Sequence, residues 1–224
     1  MASKITFSIG GIHPNDSKLA RERAIEVLPL PEVVYVSMAQ HLGAPAKPVV
    51  AVGDSVKTGQ VIAEPGGFIS AFVHSPVTGT VKSIGPRKDL AGNNVTHIEI
   101  VRTGEDEWAE GIDLSEDLVT AIPDDREAML ARIKACGVVG LGGATFPTHV
   151  KLNPGPAAKP ECLILNGAEC EPFLTSDYRI LLEQTDKIVV GAAIMQKILG
   201  CRCVIGIEEN KPEAIEAVKA SVAR

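Results

Sequence analysis

The feature that most constrains this chain is a change of hydrophobic period near residue 124. Before it, apolar residues fall in short alternating or continuous runs rich in β-branched side chains, at 33–38, 48–52, 61–63, 69–73, 79–84 and 97–101. Gly, Pro, Asp and Asn separate the runs, and the pattern predicts a compact β domain over 1–104. Residues 105–123 are acidic, with Glu105, Asp106, Glu107, Glu110, Asp113, Glu116 and Asp117 around the sole Trp108, and end at Pro123. They read as a linker.

From 124 onward the period is close to 3.6. Asp124 followed by Glu127 gives an N-cap and capping-box signal, Met129, Ile133 and Cys136 share one helical face, and Gly137 can close the helix. A Gly-rich loop at 137–143 leads to a buried strand at 162–166, a helix at 186–199 ended by Gly200, and a second buried strand at 201–207. Residues 210–213, with Pro212 in the first turn, open a last helix. Strand, helix, strand, helix at this spacing predicts an α/β domain over 124–224 built on a parallel sheet. Only two such strands are written, so the sheet is expected to be incomplete at the C-terminus.

At 224 residues both domains can bury a core. Twenty-two basic and twenty-eight acidic residues give a net charge of -6 with no Lys/Arg run, which argues against nucleic acid as a partner. No apolar stretch approaches the ~18 residues of a membrane span. Residues 1–10 lack a signal-peptide layout and the first cysteine is Cys136, so a cytosolic, reducing setting is expected. Cys136, Cys162, Cys170, Cys201 and Cys203 are odd in number with no C-x-x-C spacing, and His13, His41, His74 and His97 are scattered, so no metal site is predicted. Cys201 and Cys203 read as packing residues on one face of a strand.

Gly53-Asp54-Ser55-Val56-Lys57-Thr58-Gly59-Gln60-Val61-Ile62 followed by Ser75-Pro76-Val77-Thr78-Gly79-Thr80-Val81 resembles the hammerhead of biotinyl and lipoyl carrier domains, a barrel-sandwich hybrid. The hairpin tip, 63–74, lacks the acceptor lysine of those carriers, which points to a docking or scaffold role for the barrel.

Two segments carry chemistry. In Gly140-Leu141-Gly142-Gly143-Ala144-Thr145-Phe146-Pro147-Thr148-His149-Val150-Lys151, the glycines can bring backbone N–H groups against a phosphate and Lys151 can add a charge, although a tight turn would need the same glycines. The spacing is neither a Walker loop nor G-x-G-x-x-G. The second segment, Asn166-Gly167-Ala168-Glu169-Cys170-Glu171-Pro172, follows the first predicted strand of the α/β part, at the edge where open sheets take ligands. A turn with two solvated carboxylates is the plainer alternative.

Together these segments resemble the FMN- and NADH-binding part of the flavoprotein subunit of respiratory complex I, from which Leu141, Ala168 and Cys170 depart. The whole chain resembles still more the RnfC component of Rnf complexes, the ion-translocating ferredoxin:NAD oxidoreductases. Gly10-Gly11-Ile12-His13-Pro14, Gln40-His41-Leu42-Gly43-Ala44-Pro45-Ala46-Lys47-Pro48 and Gly206-Ile207-Glu208-Glu209-Asn210-Lys211-Pro212 carry that likeness together with 166–172. The resemblance implies an α+β two-domain chain, a barrel-sandwich hybrid followed by a Rossmann-like FMN/NADH-binding domain. It implies a subunit that exchanges a hydride with NAD(H) through FMN and passes electrons to iron–sulfur clusters. Gly140, Gly142 and Gly143 would line the flavin phosphate and ribityl chain with Lys151 as cationic partner, Asn166 would bond to the flavin, and Glu169 and Glu171 would lie beside flavin and nicotinamide as catalytic residues. Phe146 and Pro147 would shape the loop. Partners would be the membrane subunits and the iron–sulfur subunit of the complex, with this chain peripheral on the cytoplasmic face of the bacterial inner membrane. Such subunits are about twice as long, so [4Fe-4S] clusters would lie in a C-terminal region missing here, and the fragment alone would be inactive. The alternatives are a non-catalytic docking module and a paralogue that feeds a soluble reductase.

Overall fold

The computed structural model describes residues 15–155 and 157–224, so the Gly10–Pro14 motif and His13 lie outside the described residues. Two compact units result: a larger one of Val27–Leu163 with Ala193–Arg202, and a smaller one of residues 15–26, Ile164–Ala192 and Cys203–Arg224.

In the larger unit, β1 (Val33–Ser37), β6 (Gly79–Lys88), β7 (Asn94–Arg102) and β3 (Ser55–Val56) form an antiparallel sheet in the order β1-β7-β6-β3. A second antiparallel sheet runs β2 (Lys47–Pro48), β4 (Val61–Glu64), β5 (Val73–His74). Alternation sends Val36, Val56, Val81, Ile98 and Ile100 from the first sheet and Ile62, Ala63 and Val73 from the second into one shared core. At 69–73, where a strand was expected, only Val73 and His74 pair. Residues 65–72 are a loop, tied down where Ser70 Oγ donates to the Ala44 carbonyl and Ala71 N–H to His41 Nε2. The run at 48–52 pairs only at Pro48, and β3 carries no periodic signal because two residues cannot show one.

The acidic stretch begins docked on the barrel: Thr58 N–H donates to the Glu107 carbonyl, Thr78 Oγ1 also donates to that carbonyl, and Ile112 packs where a Cβ on Gly59 would stand. Helix α1 (Arg126–Ala135) starts one residue later than expected. The cap is Asp125, whose carboxylate accepts the Ala128 N–H at 3.0 Å, while Asp124 pairs with Lys197 and Glu127 with Arg126. Met129 and Leu130 of α1, Leu152 after the short α2 (Thr148–Lys151), and Ile198 make the second core of this unit. Arg126 ties these pieces by donating to the Ile198 carbonyl and to Asn153 Oδ1.

The smaller unit rests on β8 (Cys162–Gly167) and β9 (Arg202–Ile207), a two-stranded sheet. Cys201 falls just before β9, so of the two neighbouring cysteines only Cys203 is a strand residue. Ile205 and Ile207 of β9 pack on Tyr178 and Leu181 of α3 (Ser176–Glu183) and on Ala214 and Val218 of α5 (Pro212–Val222). Helix α4 (Thr185–Leu199) ends at Gly200 in the left-handed region, as expected, whereas α3 had no sequence signal of its own. No helix among the described residues is long and apolar enough to cross a membrane, and no group of His, Cys, Asp and Glu among them is set to hold a metal ion.

Candidate functional site

In the larger unit the Gly-rich segment leaves the end of α1 through Gly137 at φ +64, where a Cβ would stand 2.4 Å from the Phe72 carbonyl oxygen and 3.3 Å from the His74 ring. Only glycine lets the chain pass there. The neck of the loop is then closed by three contacts: Thr148 N–H to the Val138 carbonyl at 3.0 Å, Gly140 N–H to the Phe146 carbonyl at 2.9 Å, and an antiparallel bridge between Val139 and Pro147. Pro147 is fully buried, and Thr145 is held at φ +45, a conformation that costs a non-glycine residue about 1 kcal/mol or more. Phe146 and Pro147 therefore shape the loop, as the resemblance implied.

Above the neck, residues 141–144 are exposed, and nothing lies within 4 Å of where a Cβ on Gly142 or Gly143 would be. Lys151, the last residue of α2, turns back so that its ammonium lies 3.0 Å from the Cβ position of Gly140. The ammonium is exposed and makes no hydrogen bond or ion pair among the described residues. A bare backbone rim with one uncommitted cation at its base suits a phosphate group.

The imidazoles near this loop add no charge at neutral pH. Burial pushes His149 below its ordinary value, with the positive charges of Lys134 and His41 adding to the shift, and its Nδ1 is buried without a partner. Burial also lowers His74, against the opposing hydrogen bond to the Ala135 carbonyl. His41 accepts the Ala71 N–H on Nε2 and has Nδ1 at 3.1 Å from the Leu42 carbonyl, the pattern of a neutral ring protonated on Nδ1.

In the smaller unit the second segment forms a loop from the end of β8 to α3. Asn166 is exposed and its Oδ1 accepts the Ala168 N–H at 3.2 Å, an Asx turn. Glu169 is 2% exposed. Its carboxylate accepts the Asp177 N–H at 2.7 Å, and the Tyr178 N–H and Ser176 hydroxyl each at 3.4 Å. These are first-turn groups of α3, whose N-cap Thr175 makes no side-chain cap, so Glu169 caps the helix from outside. Glu171 is exposed. Asp177 is raised above its ordinary value, first by partial desolvation, then by the charges of Glu169 and Glu171, with Lys211 and Lys18 opposing.

Sequence reasoning missed Lys18. Its Nζ donates to the carbonyls of Glu169 at 2.7 Å, Glu171 at 2.9 Å and Leu174 at 2.7 Å. It lines a pocket with Asp16, Arg21, Glu169, Tyr178 and Lys211. In that pocket Arg21 stacks 4.9 Å above the Tyr178 ring and donates to Glu213, and Lys211 pairs with Glu208. No local motif marks a lysine 151 residues from its partner.

Comparison with known families gives two matches, residues 6–105 to the RnfC barrel sandwich hybrid domain and residues 133–224 to the Nuo51 FMN-binding domain. Among curated relatives, the RnfC-type component of a proton-translocating ferredoxin:NAD(+) oxidoreductase complex from Clostridium ljungdahlii is 47% identical over 212 residues, 94% of this chain and 46% of that protein. Its counterpart in the Na(+)-translocating complex of Acetobacterium woodii is 42% identical, covering 95% of this chain and 48% of its own length. The chain belongs to the RnfC family. It spans about half the length of these two relatives. The more distant counterpart in an ion-translocating oxidoreductase complex of Pseudomonas aeruginosa is 38% identical over 99% of this chain. Both chemistry-bearing segments, 140–151 and 166–172, fall inside the stretch matched to the FMN-binding domain, and the two-sheet barrel falls inside the RnfC barrel match.

Proposed function

We propose that this chain is the FMN- and NADH-handling part of an ion-translocating ferredoxin:NAD oxidoreductase, its loop at Gly140, Gly142 and Gly143 receiving the flavin phosphate against Lys151. The observation that carries the reading is the uncommitted Lys151 ammonium at the foot of an open glycine rim. When bound, FMN supplies hydride exchange with a nicotinamide and one-electron delivery onward. The chain's own residues bind and orient. The rim offers N–H groups without side chains in the way, and the neck at Pro147 and Phe146 fixes its shape. Asn166 contacts the flavin. Exposed Glu171 lies toward the nicotinamide, and Glu169 acts through the loop it secures.

In the same reading residues 124–224 form a Rossmann-like nucleotide domain following a barrel at 1–104 and a segment at 105–123. The chain is peripheral on the cytoplasmic face of the membrane, docked on the other subunits of the complex, and electrons leave toward [4Fe-4S] clusters carried outside these residues. The relatives' names, each that of one component of an ion-translocating or ferredoxin:NAD(+) oxidoreductase complex, support this assignment.

The test compares FMN with riboflavin, which lacks the phosphate. Lys151→Ala is expected to weaken FMN about tenfold or more, the loss of one charge-assisted contact, and to leave riboflavin within about twofold. Equal losses for both ligands would remove Lys151 from the phosphate. Absence of flavin binding by the unsubstituted chain would favour the docking-module reading.

A further inference from the structure

The loop that follows β8 does not hold its own shape; residues 15–18 hold it. Lys18 spends all three donors of its ammonium on backbone carbonyls, those of Glu169, Glu171 and Leu174, and the Asp16 carbonyl accepts the Phe173 N–H at 2.9 Å. Phe173 sits at φ +70, a region a non-glycine residue keeps only where its surroundings over-determine it. Within this unit Lys18 and Asp16 supply that determination from one side, and the buried Glu169 carboxylate on the α3 N–H groups supplies it from the other.

The clamp also decides which backbone groups face outward. Because the peptide unit is planar and trans, the Cys170 N–H is anti to the Glu169 carbonyl that binds Lys18, and so points away from the ammonium. That N–H makes no hydrogen bond among the described residues, and Cys170 is exposed. A turn that served only to join a strand to a helix would have no need of a fully committed lysine and a strained residue to present a free N–H.

Resting on the flavin reading above, we infer that Lys18 is a positioning residue: it fixes the 169–174 backbone so that the Cys170 N–H and the Glu171 side chain meet the ring end of the bound flavin rather than its phosphate. Lys18 touches no reacting atom. It acts through the three carbonyls it gathers.

The experiment uses the 224-residue chain with Lys18→Ala and Lys18→Arg, hydrogen exchange of residues 168–175, and titration with both FMN and riboflavin. Lys18→Ala is expected to speed exchange of the Phe173 amide about tenfold or more. It should weaken FMN and riboflavin by the same factor, about fivefold or more. Equal loss is the signature of a ring-side effect, in contrast to the FMN-only loss expected of Lys151→Ala. Added n-propylammonium should restore both affinities to Lys18→Ala by refilling the carbonyl nest, and Lys18→Arg, which keeps the charge, should fall between. Far-UV circular dichroism identical to the parent guards against global unfolding, and the Arg variant and the rescue decide the matter if Lys18→Ala does not fold. Unchanged exchange, or faster exchange with unchanged riboflavin affinity, would overturn the inference while leaving the flavin reading standing. A parent chain that binds neither flavin would overturn the flavin reading and this inference with it.

Discussion

Replacement of Glu169 separates a chemical carboxylate from a structural one. The side chain is buried, and its oxygens serve the N–H groups of Asp177 and Tyr178 in the otherwise uncapped first turn of α3. One of these bonds, at 2.7 Å, is short and charge-assisted, which is worth about 1.5–3 kcal/mol. The contacts at 3.4 Å add little, and the negative charge at a helix N-terminus adds about 0.3–1 kcal/mol. Glu169→Ala should therefore cost about 2–4 kcal/mol. Glu169→Gln keeps one acceptor oxygen and should cost about 1–2 kcal/mol. Equilibrium urea unfolding followed by circular dichroism measures the loss, and exchange of the Asp177 and Tyr178 amides locates it. Removal of the Glu169 charge also takes away the second cause of the raised Asp177 value, so Asp177 in Glu169→Gln should titrate lower. Parent-like stability and amide protection in Glu169→Gln, together with lost NADH-driven flavin reduction, would refute the capping reasoning and make Glu169 a chemical group.

Gly137→Ala forces a left-handed residue and drives a Cβ onto the Phe72 carbonyl, so a loss of about 2–4 kcal/mol is expected in thermal or urea unfolding, and a change under about 0.5 kcal/mol would contradict the close approach. Gly140→Ala meets only the flexible end of Lys151, so stability should hold while FMN weakens more than riboflavin in paired titrations; a matching loss for riboflavin would argue against displacement of the ammonium. His74 and His149 have folded values below their ordinary one, so the unfolded chain takes up protons first as pH falls. Stability should therefore drop below about pH 6.5, and His149→Gln should shrink the difference between urea midpoints at about pH 7.5 and about pH 5.5. The lowered carboxyls of Asp124, Glu183 and Glu213 act in the same sense, but only below about pH 4.5, so the two windows are separable.

What the sequence made legible was local. The glycine loop, the Gly137 and Gly200 helix ends, the Pro212 start and the alternating runs of β1, β4, β6 and β7 each have their cause within a few residues of the signal. What stayed hidden depends on distant partners. Asp124 and Asp125 both fit an N-cap pattern, and only the competing pull of Lys197 on Asp124 separates them. Helix α3 has no cap of its own because Glu169, eight residues before Asp177, does the capping. The apolar 69–73 run reflects a loop buried against residues 41–44 rather than a strand. Trp108 and Ile112 sit in a stretch whose charge suggests solvent, yet Trp108 bridges to Thr58 and Ile112 packs at Gly59. Lys18 is the extreme case, since nothing near it in sequence reveals the three carbonyls it serves.

The most direct test of the central claim is titration of the purified 224-residue chain with FMN, followed by quenching of flavin fluorescence. Saturable binding at one flavin per chain, weakened by added salt as the Lys151–phosphate contact requires, is the expected result. Fluorescence that stays that of free flavin at every protein concentration would contradict the claim that the loop at 140–151 is a flavin phosphate site.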